Sequence, residues 1–160
     1  MTEPQDRRQD RRAGDVEIEL LSFHVGEQEY SVDIMSVREI RGWTRATSLP
    51  HAPSYMRGVI NLRGTVLPVM DLALRLGMEA GEPEERHVVI VIDLEGRIVG
   101  LRVDAVSDIL TLKRDALQPT PELAADGREA FVRALTVVDH RMVRVLDLEA
   151  VLPQSSDLAA

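Results

Sequence analysis

The sequence predicts a mainly β chain of two pseudo-symmetric five-stranded barrels with short helices, and three observations lead there. Short apolar, β-branched runs are bounded by Gly, Pro and acid-Gly turns rather than by helix caps. Pro119 and Pro121 forbid a long helix ahead of the last β segment. The chain also matches itself in order. Val32-Asp33 lines up with Val103-Asp104, and Val37-Arg38-Glu39-Ile40 with Val106-Ser107-Asp108-Ile109. Val66 to Leu72 then lines up with Met142 to Leu148 at a constant offset of 76.

Element by element, Ile18 to Val25 and Glu29 to Asp33 flank Gly26-Glu27-Gln28 as a hairpin. Val59 to Leu62 and Val66 to Met70 flank Arg63-Gly64-Thr65. Val88 to Leu94 and Arg97 to Val103 flank Glu95-Gly96, where Gly supplies the positive φ of a tight turn. Ala134 to Val138 and Met142 to Leu146 flank Asp139-His140-Arg141. Helix is expected only as a turn near Pro53 to Met56 and short pieces after Asp71, after Asp147 and around Asp115. The repeat places one barrel over about residues 16–80 and a second over about 86–152. Residues 1–15 are a disordered tail and 153–160 a C-terminal tail, with an acidic linker at Glu82, Glu84 and Glu85. Two barrels would close their own strand edges and meet along a seam suited to docking.

Composition narrows the function. The 160 residues include no Cys and carry a net charge of −8, all of it beyond residue 15, because the Arg and acids of the tail cancel. A reducing cytoplasm is the simplest setting for such a chain. An acidic body with five aromatics argues against a nucleic-acid binder of the small-barrel type, which wants a positive groove and stacking platforms. The longest apolar run, around Val88 to Ile92, is far short of the roughly 18–20 residues that span a bilayer.

No Gly-x-Ser-x-Gly elbow is present, and without Cys no thiol chemistry is available. His24, His51, His87 and His140 lack metal-ligand spacing and are expected at surface or capping positions. Gly96 and Gly100 read as turn chemistry and close packing, not a phosphate loop. Asp33 with Glu39, or Asp104 with Asp108, could form an acid-base pair in a small β-barrel enzyme. The competing reading has Asp33 and Asp104 capping turns at matching repeat positions. Arg63, at a β turn beside Gly64, presents a rigid donor fork that suits a carboxylate, with Glu39 as its partner. Bordered by Val37, Val106 and Ile109, it would sit beside an apolar groove for an amphipathic helix. The alternative, an Arg that only decorates a hairpin above core valines, stays open on these residues alone.

Three segments, Phe23 to Gly42, Met56 to Leu72 and Val88 to Leu110, resemble the CheW family of bacterial chemotaxis coupling proteins, with a weaker match over Gln118 to Val151. The ordered set Glu-Ile-Arg-Gly, Asn-Leu-Arg-Gly, Pro-Val-x-Asp-Leu and Val-Asp-x-Val-Ser-Asp carries the likeness. The resemblance implies two SH3-like barrels without catalytic activity or cofactor, at cytoplasmic receptor arrays. It also implies that the chain links the helical tip of chemoreceptors to the regulatory domain of the histidine kinase CheA. Its receptor-facing groove would include Val37, Glu39, Gly58 and Arg63 from the first barrel and Val89, Val106 and Ile109 from the second. Kinase contacts would use the barrel ends, in alternation of the two proteins into rings. Kinases with this module carry further domains, for which 160 residues leave no room, so a lone coupling protein is expected.

Overall fold

The computed structural model describes residues 16–42, 44–79, 87–120 and 131–153. Both tails (from residue 154 at the C-terminal end), the acidic linker, Trp43 and Pro121 lie outside them. Ten strands form: β1 (Glu17–Val25), β2 (Gln28–Asp33), β3 (Val37–Gly42), β4 (Met56–Leu62), β5 (Thr65–Asp71), β6 (Val88–Leu94), β7 (Arg97–Val103), β8 (Ala105–Lys113), β9 (Val132–Val138) and β10 (Arg141–Leu146). Among the described residues, the helical elements bounded on both sides are α1 (Leu72–Arg75), α2 (Leu148–Val151) and single 3-10 turns at Ile34–Ser36 and Arg114–Ala116. The four expected hairpins are all present, the pieces after Asp71 and Asp147 form behind their Asp caps, and the one around Asp115 forms without a side-chain cap. No helix among the described residues is long and apolar enough to cross a membrane.

The strands assemble as two five-stranded sheets, in the orders β8-β1-β2-β10-β9 and β3-β6-β7-β5-β4. Under the 76-residue repeat the two orders are the same. Each sheet is antiparallel except for one parallel pairing at equivalent places, β2 with β10 and β5 with β7. The sequential division at 16–80 and 86–152 is overturned by this topology. Each repeat gives its first two strands to one sheet and its last three to the other. The crossings are the 3-10 turn between β2 and β3 and the single residue Asp104 between β7 and β8. Such an exchange is invisible to pattern reading, because both repeats offer the same apolar alternation to a neighbour.

Continuous closure of each barrel is also not found. Hydrogen-bonded ladders end at β8 and β9 in the first sheet and at β3 and β4 in the second. One isolated bridge spans each gap. After β3, Thr47 exchanges two 2.8 Å backbone bonds with Val59 on β4. After β8, Gln118 does the same with Leu135 on β9, at 2.7 and 2.8 Å. The sheets therefore curl towards barrels but join their edges by one residue pair.

Three apolar clusters fill this arrangement. Ile60, Leu62, Leu67, Val69, Val89 and Val91 lie together inside the curl of the second sheet. Leu20, Leu110, Ala134, Val143 and Val145 do the same in the first. The largest cluster, including Leu21, Phe23, Tyr30, Val32, Ile90, Ile92, Leu101 and Leu146, joins the two sheets. Along β6, Val89 and Val91 face one cluster and Ile90 and Ile92 the other, so a strand buried on both faces reads as an unbroken apolar run. Gly100 is the close-packing glycine expected, since an added Cβ would stand 2.7 Å from Val89 Cγ1.

Asp71 and Asp147 cap the two short helices at equivalent positions. Asp147 Oδ1 accepts from the Glu149 and Ala150 amides at 3.1 and 3.4 Å. Asp71 Oδ1 accepts from Leu74 N at 3.4 Å, while its Oδ2 takes Arg57 at 2.6 and 3.0 Å and Arg102 at 3.2 Å. Arg75, at the end of α1, donates to the Val151 and Ala150 carbonyls of α2 at 2.9 and 3.2 Å. Its guanidinium lies 4.4 Å from the Tyr55 ring centroid and 4.9 Å from that of Phe131, tying the two helices together.

These contacts set two expectations for urea unfolding. Asp147→Ala loses a cap and should cost about 1 kcal/mol, whereas Asp71→Ala also strands two arginines and should cost about 3–5 kcal/mol. Gly58 has φ +136, and a Cβ there would stand 2.0 Å from Thr47 O at the bridge to β4. Gly58→Ala should therefore lower stability by about 3 kcal/mol.

Candidate functional site

Arg63 sits at the first central position of the β4–β5 turn, with φ +51, followed by Gly64 at φ +86. Asn61 Oδ1 accepts from Gly64 N at 2.8 Å and stiffens the turn. The equivalent turn of the other repeat is Asp139-His140, with φ +49 and +66, so the counterpart of Arg63 is Asp139 rather than Arg141. The same backbone carries opposite charges at the two tips.

Arg63 reaches across the open side of the second sheet to Glu39 on β3. One guanidinium nitrogen donates to both carboxylate oxygens at 2.7 Å. Because β3 and β4 are opposite edges of that sheet, the pair can form only if the sheet curls. Arg41 adds a second cation 4.0 Å from Glu39. The Arg63 side chain is 66 % exposed and that of Glu39 25 %, which makes the pair a screened surface contact and leaves donors free for a partner.

The remaining candidates divide. Val37 opens β3 and Val106 lies on β8, and both are half-buried against the core shared by the sheets. The two edge strands thus flank one apolar layer. Ile109 on β8 is 52 % exposed. Gly58 is buried and acts sterically, by admitting Thr47. Val89, at 2 % exposure, belongs to the interior cluster of the second sheet. The reason is its parity on β6, where Ile90 and Ile92 take the face towards the first sheet.

Sequence reasoning missed Ile40, which is 45 % exposed on β3. The repeat had already paired it with Ile109, and that equivalence was the available signal. It also missed exposed Met35, on the 3-10 turn leading into β3.

The paired carboxylates are engaged elsewhere. Asp33 accepts from Met35 N at 2.9 Å, the capping role expected of it. Asp104 instead accepts from Gly26 N in the β1–β2 turn at 2.8 Å. Asp108 accepts from its neighbour Ile109 N at 2.8 Å. His87 departs from the surface role assigned to the histidines, being buried and hydrogen-bonded to Arg102.

With this geometry in place, the comparisons are specific. The CheW-like domain family matches residues 19–156. The "Probable chemotaxis protein CheW" of Rhizobium etli is 54 % identical over 142 residues, covering 89 % of this chain and 92 % of that protein. The "Chemotaxis protein CheW" of Klebsiella aerogenes is 37 % identical over 134 residues, 84 % of this chain and 81 % of the relative. The crystal structure of the scaffolding protein TtCheW from Thermoanaerobacter tengcongensis superposes with a TM-score of 0.80 at 27 % identity, over 90 % of this chain and 98 % of that one. The chain belongs to the CheW-like family, a non-catalytic scaffold of chemotaxis signalling with two mainly β halves.

Proposed function

We propose that this scaffold works in the cytoplasm by coupling the helical signalling tip of chemoreceptors to the regulatory domain of the histidine kinase CheA. The observation that carries the reading is that the pseudo-symmetric fold bears exposed apolar side chains of two separate kinds. One kind lies on the edge strands: Ile40 on β3 and Ile109 on β8, with the Arg63–Glu39 pair beside β3. The other lies on the hairpins, with Val66 on β5 and the cross-strand pair Val137 and Met142 on β9 and β10. Val66 and Met142 are equivalent under the repeat, so the chain offers related apolar hairpins on both halves. An adaptor that alternates with a second protein of the same fold needs two such surfaces.

The edge strands suit a receptor helix. Ile40 and Ile109 supply apolar anchors, each worth roughly 1.5–3 kcal/mol if fully buried. Arg63, steered by Glu39, sets the helix orientation through a carboxylate. The rigid, doubly buried centre of the molecule would transmit a shift of the bound helix as a rigid-body displacement, biasing the kinase through differential contacts.

Co-sedimentation with a receptor signalling tip and CheA, read together with kinase activity, tests the coupling. Arg63→His should weaken receptor association about tenfold while the far-UV spectrum stays unchanged. Full receptor binding and intact kinase control by that variant would remove the edge-strand site. Val137→Asp combined with Met142→Asp should abolish CheA association and spare receptor binding. Loss of both interactions together would argue against separate surfaces. Kinase binding without any receptor binding by the native chain would point to a different sensory input.

A further inference from the structure

The curled second sheet has two mouths. Arg63 stands at one, beside Leu62 and Thr65. At the other, a cleft of ≈ 400 Å³ is lined by Thr44, Arg45, Arg57, Val69, Val89 and Arg102. Nothing in the coupling role uses this cleft.

Three guanidinium groups meet there in a protein whose net charge is −8. Asp71 is paired with two of them, a single oxygen of it serving both Arg57 and Arg102. Arg102 is 8 % exposed, and its remaining bonds go to His87 Nδ1. On the other side of the ring, His87 Nε2 lies 3.7 Å from Asp104 Oδ1. Burial pushes the Arg102 guanidinium below its ordinary value, and Asp71 opposes the shift. Arg45 is exposed and makes no hydrogen bond or ion pair among the described residues. Asp71 pairs with two of the three arginines and the Asp104 charge also acts on Arg102, which leaves Arg45 as the unmatched cation, among the described residues, of a concave, partly apolar site.

The other repeat sharpens the point. Its corresponding cleft, ≈ 240 Å³, is lined by Arg114, Arg133 and Asp33. Arg133 is the repeat equivalent of Arg57, but Ser31 stands where the second sheet has Arg102. The excess charge therefore belongs to one half of the molecule and is not a by-product of the fold.

We propose that the Arg45–Arg57–Arg102 cleft binds a phosphate group, with room for a small organic body against Val69 and Val89. A phosphate monoester is anionic near neutral pH, as a cleft with more arginines than carboxylates requires, and its oxygens suit guanidinium forks. The volume lies in the range of small-molecule sites. Arg45, on the segment after β3, would close over the bound anion, while Arg57 and Arg102 are already held in place by Asp71.

The test is calorimetric titration of the full chain with inorganic phosphate, phenyl phosphate and acetate at constant ionic strength. Both phosphates should bind saturably with one site per chain, and acetate more weakly. Arg45→Ala should weaken phosphate binding about tenfold, without unfolding, since Arg45 is exposed and makes no ion pair among the described residues. Lys113→Ala, which removes an exposed cation on β8, should bind as the native chain does. Tighter binding of phenyl phosphate would assign an organic phosphate monoester to the site, and equal binding would assign free phosphate. Absence of saturation with either phosphate, acetate binding as tightly as phosphate, or equal losses in Arg45→Ala and Lys113→Ala would each overturn the proposal.

Discussion

The shared apolar layer between the two sheets is the constraint on which the other features depend. Leu21, Phe23 and Val32 from the first sheet and Ile90, Ile92 and Leu101 from the second belong to one buried cluster. Each sheet draws strands from both repeats, so neither half can assemble its ladder without the other. Folding of the two halves is therefore coupled through backbone pairing as well as through side-chain burial. Arg75 extends that coupling to the helices, with its guanidinium between Tyr55 and Phe131 and its donors on the end of α2.

A symmetric scaffold then carries unlike chemistry on its equivalent positions. Arg63 and Asp139 occupy the same turn position with the same backbone conformation and opposite charge. Gly58 admits Thr47 where its counterpart Ala134 has a side chain inside the first sheet. Arg102 adds a third guanidinium where Ser31 offers none. Function enters through these departures, since the symmetric residues serve packing, turns and caps.

The candidate site was legible where the signal was local. A positive-φ turn followed by Gly, with a carboxylate on a strand expected nearby, was enough to pair Arg63 with Glu39, and the structure joins them at 2.7 Å. Val37 and Val106 were singled out through the repeat, and both pack half-buried against the shared core. Val89 was named through the family resemblance alone, and it is buried because both faces of β6 are packed against apolar clusters. The arginine cleft was not legible at all. Arg102 lies on β7, far along the chain from Arg45 and Arg57, and only the curl of the sheet gathers the three.

By itself the sequence determined the strands, the hairpin turns, the two Asp-capped helices and the twofold repeat, because each of these is encoded by neighbouring residues through turn chemistry and period-two patterning. The tertiary structure alone decided which strands share a sheet. Both repeats present the same alternation, so the pairing of β8 with β1 and of β3 with β6 is set by the short crossings at Ile34–Ser36 and Asp104. It alone also decided that each barrel closes by one bridge and that three arginines converge. Both follow from sheet curvature, a property of the assembled ladder that no local stretch of chain contains.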